Sequence, residues 1–538
     1  MQLNMRKVFF AVFYLLMSVC LFVLFRHFGL FVFWQQGELQ FFIPEFSFYA
    51  DTLVRPGGFS QVLGQFIVQG YHSALFSLLI NSLLITAVSV LTFTLLNFNK
   101  RYALNAILSV APALVMTSFA FLVNNSVSGA VAMVLVLLSI CIYQRITTPK
   151  GNLIFGICSA IVLYFAIGPL VLIYGLLALE IKLLSAKKDY RSAFVTLLLS
   201  IVLTLIGTFR AEFLPITEGL RSKAMLMSLP ISDTIVYRSW LLCALVLAIV
   251  IGVSKAADWL SLRKILKISI VTLATAMVIV PCVMLTYKSL PSKDMLRMNQ
   301  LAYLSSKGKW ASIVNISHKS LAANNLQRCY YNYARAREGV LGNDVTTLSM
   351  MDVQCLIPPA DGSYLRCMLL SDIHFLIGDI SRSEGFAMDA KRINCPKAMQ
   401  RLSQIYLIKG EWRLAEKNIN LLSRMPHYKD WAERHRQYLK HPELIETDAE
   451  LSGKKEQYEA DNLLCNTSEE ATWLAHLNTA KPNRAAFQYL ACYYLISNNI
   501  DGLRQIVSAY GDNSNIKPVS KYILDIVAIN ETTQTDDR

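Results

Sequence analysis

Residues 153–184 read LIFGICSAIVLYFAIGPLVLIYGLLALEIKLL. As one helix this stretch would be about 48 Å long at 1.5 Å per residue, far beyond a hydrocarbon core of about 30 Å. Gly168-Pro169 interrupts it, because proline has no N–H to donate and disfavours helix in the residue before it. Both flanks are basic: Arg145 and Lys150 precede the stretch, Lys182 falls in its last turn, and Lys187, Lys188 and Arg191 follow it. Basic loops stay on the cytoplasmic side. With both ends cytoplasmic, the stretch is predicted to go out and back as two short helices meeting at Gly168-Pro169, one kinked span being the alternative.

Working outward from there, further apolar runs long enough to span a bilayer lie near 8–25, 74–96, 104–122, 127–143, 191–208, 235–254 and 268–287. With the fold-back they predict about nine spans. Arg6 and Lys7 put the N-terminus in the cytoplasm, Lys100 and Arg101 mark a second cytoplasmic loop, and Lys255, Arg263, Lys264 and Lys267 the last. Everything after Lys288 is then external. The first run lacks a small-residue cleavage site and continues into Arg26, His27, Phe31, Phe33 and Trp34, so it reads as a retained anchor with an interfacial aromatic belt. The 538-residue chain is 54% hydrophobic and only 16% charged, which excludes an all-soluble or a disordered protein. Residues 1–290 carry 21 Lys/Arg against 9 Asp/Glu, whereas 291–538 carry 30 against 28. The predicted fold is all-α: a polytopic membrane domain over 1–290, then a soluble helical domain.

In the second half, Gly308-Lys309-Trp310 and Gly410-Glu411-Trp412 are near-copies 102 residues apart, with Gly342 and Gly378 at intermediate positions. Leu402, Tyr406, Gly410, Trp412, Ala415 and Ile419, closed by Pro426, resemble the tetratricopeptide helix–turn–helix pattern, in which a large aromatic wedges between helices. On that reading 291–445 are tetratricopeptide-like repeats, 446–461 a charged solvated linker, 462–530 further helical repeats and 531–538 a disordered tail, and Trp310 and Trp412 are both expected to be buried. Cys329, Cys355, Cys367, Cys395, Cys465 and Cys492 fall in this half, an even number that permits disulfides without fixing their pairing.

No phosphate-loop, Gly-x-Ser-x-Gly or His-Glu-x-x-His motif is present, nor any His/Cys spacing suited to a metal, and no cofactor is identified. The basic balance belongs to loops facing anionic lipid and carries no nucleic-acid signal. What remains is the long external loop 35–73, with Gln35-Gln36-Gly37-Glu38-Leu39-Gln40-Phe41-Phe42, Glu45, Asp51 and Arg55-Pro56-Gly57-Gly58. This layout resembles the membrane-embedded glycosyltransferase C superfamily, whose members place an acid in a large external loop after the first span. The whole chain also resembles an uncharacterised multi-pass membrane family of Bacteroidota with an external repeat domain, through the Glu38–Phe42 string, Pro56-Gly57-Gly58 and the Gly-x-Trp repeats.

The first resemblance implies that Glu38, with Asp51 as a second acid, serves as general base or metal ligand toward a sugar acceptor, and that Arg221, Lys223 and Arg238 hold the phosphate of a polyprenyl donor. Many superfamily members carry a paired acid where Gly37 and Leu39 flank a single one here. His72, at the mouth of the second span, is a weaker candidate. The resemblances also imply a bacterial inner membrane protein with a periplasmic C-terminal domain. Three functions are in view: a lipid-linked glycosyltransferase on the external face, a non-catalytic envelope scaffold whose repeats bind protein partners, and a transporter. The scarcity of intramembrane acids and the absence of an internal duplication make the transporter least supported.

Overall fold

A computed structural model describes residues 2–96, 101–123, 125–185, 190–210, 234–259, 264–319, 324–343, 352–391, 395–461, 468–479 and 481–536. It falls into two compact units, Met1–Ser292 and Lys293–Arg538, and among the described residues both are built from helices without strands.

The first unit comprises α1 (Gln2–Phe28), α2 (Leu30–Glu38), α3 (Phe46–Leu53), α4 (Gly58–Gln69), α5 (Ala74–Leu96), α6 (Tyr102–Ala120), α7 (Val127–Arg145), α8 (Pro149–Ile167), α9 (Val171–Leu183), α10 (Tyr190–Arg210), α11 (Thr234–Trp259) and α12 (Lys264–Lys288). Its polarity is inverted relative to a water-soluble bundle. Leu15, Leu79, Leu83, Ile154, Val162, Leu176, Leu245, Leu273 and Met277 face outward, while Ser77, Ser82, Ser89, Asn105, Ser109, Thr196 and Ser200 are buried. Outward apolar rows suit hydrocarbon, and the buried hydroxyls bond the helices to one another or to their own backbones. Tyr14 OH meets Ser109 Oγ at 2.9 Å, Ser89 Oγ donates to Ser109 O at 2.9 Å, and Ser254 Oγ donates to Asn105 Oδ1 at 3.0 Å. Small residues let backbones close up: a Cβ on Gly175 would lie 3.0 Å from the Leu197 Cα, and one on Gly64 2.8 Å from the Ser128 Cα.

Among the described residues, eight helical stretches are long and apolar enough to cross a membrane, and one of them, Pro149–Leu183, has 35 residues. It is folded back. Gly168 adopts φ 65°, ψ −140°, and a 3₁₀ turn over Gly168–Leu170 joins α8 to α9. The Ser159 and Tyr174 hydroxyls lie 2.5 Å apart, although 15 residues of straight helix would separate them by about 22 Å. Both ends of the stretch return to the C-terminal end of α7. Asn152 donates to Ile146 O at 3.0 Å, and the Lys182 ammonium lies 5.1 Å from the Tyr143 ring centroid. Nine helical rods therefore arise from eight apolar stretches.

In the second unit, helix pairs close through a repeated corner. Gly308, Gly378, Gly410 and Asn498 each take a left-handed conformation, with φ of 65°, 102°, 73° and 54°. At each, the following residue donates back to the carbonyl five positions earlier: Lys309 to Leu304, Asp379 to His374, Glu411 to Tyr406 and Asn499 to Tyr494. The next helix then starts at Trp310, Ile380, Trp412 or Ile500.

Several expectations require correction. Trp412, expected to be buried, is 41% exposed and marks a helix corner, whereas Trp310 is partly buried with its ring 5.4 Å from that of Tyr333. Gly342 sits in a separate 3₁₀ turn, Leu341–Asn343, outside the set of corners. The stretch 446–461, expected to be a solvated linker, packs into the unit, with Leu451, Lys454 and Gln457 buried. The backbone of 531–536, expected to be disordered, continues the helix Lys521–Asp536. The described cysteines, which exclude Cys465, are all free thiols.

Candidate polar site at the loop end of the first unit

Glu38 is the last residue of α2, a helix buried on all sides: every residue from Val32 to Gln40 is buried. An all-round buried helix is ordinarily apolar, yet this one carries Gln35, Gln36 and Glu38, with Gln40 just after it. Each polar group needs a partner there, since an unmatched buried one costs about 1–3 kcal/mol. Gln36 is structural, because its Nε2 donates to Ala120 O at 3.3 Å and to Leu122 O at 2.9 Å, covering the open carbonyl end of α6. Gln35 Oε1 is buried without a hydrogen-bond partner among the described residues.

Gly37 controls the approach of α2 to the turn Gly70–His72. A Cβ at that position would lie 3.2 Å from the Tyr71 Cβ. The closeness brings Glu38 Oε1 to 3.9 Å from His72 Nδ1, an ion-pair separation too long for a hydrogen bond. Tyr71 is fixed in turn by Asn81, whose Nδ2 donates to its hydroxyl at 2.6 Å and to Ser77 O at 2.8 Å. The loop folds over the same end of the bundle as the α8–α9 turn, with Gly57 N donating to Phe165 O at 3.0 Å. A buried carboxylate can act as a base toward a hydroxyl brought within hydrogen-bond reach of it.

The other sequence candidates fall elsewhere. Asp51 is exposed on α3, which has no buried residue, and so stands apart from the buried set. Arg221 and Lys223 lie outside the described residues. Arg238 lies on α11, and its side chain is likewise outside them. His72 joins Glu38, while Tyr71 and Asn81 complete the cluster and are missed by sequence reasoning. Their one sequence signal is an amide placed within an apolar run, as at Asn81.

The second unit holds buried charge that composition does not reveal. His374 Nδ1 and Asp379 Oδ2 lie 3.1 Å apart, both side chains 1% exposed. Burial alone would raise the Asp379 pKa, but its bond to His374 and the Arg382 backbone N–H hold it below the ordinary carboxylate value. Among the described residues no group of three His, Cys, Asp or Glu side chains could hold a metal ion.

Residues 4–536 match the family described as "Family of unknown function (DUF6057)", and the chain belongs to it. No curated protein and no solved structure matches the chain.

Proposed function

We propose that the chain is an integral protein of a bacterial inner membrane, with a cytoplasmic N-terminus and a periplasmic second unit, and that it transfers a sugar from a polyprenyl phosphate on the external face. The observation that carries the reading is Glu38, 6% exposed and 3.9 Å from His72, in a layout resembling the glycosyltransferase C superfamily. In this reaction the acceptor oxygen attacks the anomeric carbon and gives its proton to Glu38. The bond from that carbon to the lipid phosphate breaks, and its electrons leave with the phosphate oxygen. A protonated His72 would favour the charged form of the Glu38 carboxylate beforehand, and the proton that Glu38 takes from the acceptor would pass to water once the product leaves. Arg221, Lys223 and Arg238 are proposed to neutralise the phosphate, and Asp51 to meet the acceptor at the loop surface.

A second reading is a scaffold whose helical repeats, tetratricopeptide-like in their helix–turn–helix corners, bind protein partners. Exposed Met388, Trp412 and Leu414 on the second unit favour it. Glu38→Gln separates the two, because it keeps the side-chain shape and removes the base. At wild-type protein levels, transfer from a lipid-linked sugar should fall by about 10²-fold or more. Unchanged transfer would end the catalytic reading and leave the scaffold.

A further inference from the structure

The second unit contains an open cleft of about 800 Å³ lined by Trp310, Arg337, Glu450, Lys454, Lys481 and Arg484, among others. Its floor is unusual in charge. Arg401 donates to Asp372 Oδ1 at 2.9 Å and lies 3.8 Å from Glu450, and Arg337 lies 3.6 Å from the same Glu450. The two carboxylates are thus already matched by two guanidiniums. Lys454 stands beside this group, 8% exposed, with no carboxylate within 4 Å among the described residues. Its ammonium has three N–H donors. One goes to Leu376 O at 3.0 Å, and the face of Phe375 lies 5.6 Å away. Arg484 is the second cation without a carboxylate partner among the described residues: one nitrogen donates to Gly339 O at 2.9 Å and Pro518 O at 3.3 Å, while its Nε is buried without a hydrogen-bond partner among them. Lys481 at the rim is spoken for by Glu456 at 3.8 Å.

An unpaired buried ammonium costs several kcal/mol unless an anion answers it. A buried ammonium and a half-buried guanidinium lining one cleft match a dianion better than a single carboxylate. We infer that this cleft binds a phosphate monoester, held between the Lys454 ammonium and the Arg484 guanidinium.

Burial, aided by repulsion from Arg401 and Arg337 and opposed by Glu450, pushes the Lys454 pKa down to about 7. At pH 8 the empty cleft therefore holds a largely neutral amine, and an entering dianion draws a proton onto it. Binding and proton uptake are linked, which a merely structural lysine would not produce.

The test is calorimetric titration of the full-length, detergent-solubilised protein with inorganic phosphate, using acetate at matched ionic strength as the monoanion. The expected result is one saturable phosphate site, at least about tenfold tighter than acetate, with proton uptake at pH 8 seen as a buffer-dependent heat. Lys454→Met and Arg484→Gln should each weaken it about tenfold or more, and should the first variant fail to fold, the second decides alone. Competition by phosphatidic acid in phosphatidylcholine vesicles would assign the phosphate to a lipid headgroup, and competition by glycerol 3-phosphate alone to a soluble monoester. The inference is overturned by equal phosphate and acetate binding, by phosphate affinity unchanged in the deciding variants, or by competition from neither monoester.

Discussion

His476 shows how far a single side chain can be taken from its ordinary chemistry. It is fully buried, and neither ring nitrogen has a hydrogen-bond partner among the described residues. Burial is the main force holding its pKa down, to about 4, with Lys454, His374 and Arg382 adding to it and Asp379 opposing. The sign follows from linkage: the folded state favours the neutral ring, while the unfolded imidazole titrates near 6.5. Above about pH 6.5 both states are neutral and the contribution is complete. Between about 6.5 and 4 the unfolded chain binds the proton first, and up to about 3 kcal/mol of stability is lost. The urea midpoint of the second unit's transition should fall across that window, and His476→Phe should flatten the fall. A midpoint slope unaltered by the substitution would show that other groups govern acid sensitivity. At the first unit's polar site, Gly37→Val should disrupt the contact with Tyr71 and separate Glu38 from His72. If the catalytic reading holds, transfer is lost without any change to an ionisable group.

At the scale of elements, burial distinguishes two tryptophans that composition treats alike. Trp473 is fully buried, with the Tyr489 and Tyr493 rings 6.0 Å and 5.8 Å away. Trp473→Ala should cost about 3–5 kcal/mol. Trp412 begins a helix at an exposed corner, and Trp412→Ala should cost well under half of that in parallel denaturation curves. Equal losses would restore the wedge role. The α8–α9 turn carries its own prediction, because Gly168 occupies φ 65°, ψ −140°, which a side chain rarely tolerates. Gly168→Ala should destabilise the first unit by about 1–3 kcal/mol.

This turn is readable from sequence because glycine and proline act locally and the lysines on either side restrict the path. The corner glycines are readable for the same reason, whereas the aromatic after them is not, since its burial depends on which neighbour packs there. The stretch 446–461 misleads because its charges suggest solvent, while a few anchors, Leu451 and the apolar stem of Lys454 among them, suffice to bury it. The pairing of Glu38 with His72 cannot be read at all. Thirty-four positions separate them in the chain, and only the close approach at Gly37 brings them together.

For the whole molecule, polarity divides the chain at Ser292/Lys293, with apolar outward rows before it and ordinary amphipathic helices after it. The number of crossings then fixes which side the second unit occupies. One crossing by Pro149–Leu183 would put Lys188 opposite Thr148, and residues after Lys288 on the side of the N-terminus. Two crossings, one by each arm of the fold-back between Ser159 and Tyr174, would reverse both outcomes. Alternation of basic loops supports the same count, each Lys or Arg near an anionic surface being worth about 1 kcal/mol. The direct measurement is a set of compartment-sensitive reporter fusions after Thr148, Lys188 and Lys288 in the otherwise intact chain. The account predicts the same, cytoplasmic, response at Thr148 and Lys188 and the opposite response at Lys288. Opposite responses at Thr148 and Lys188 would contradict it.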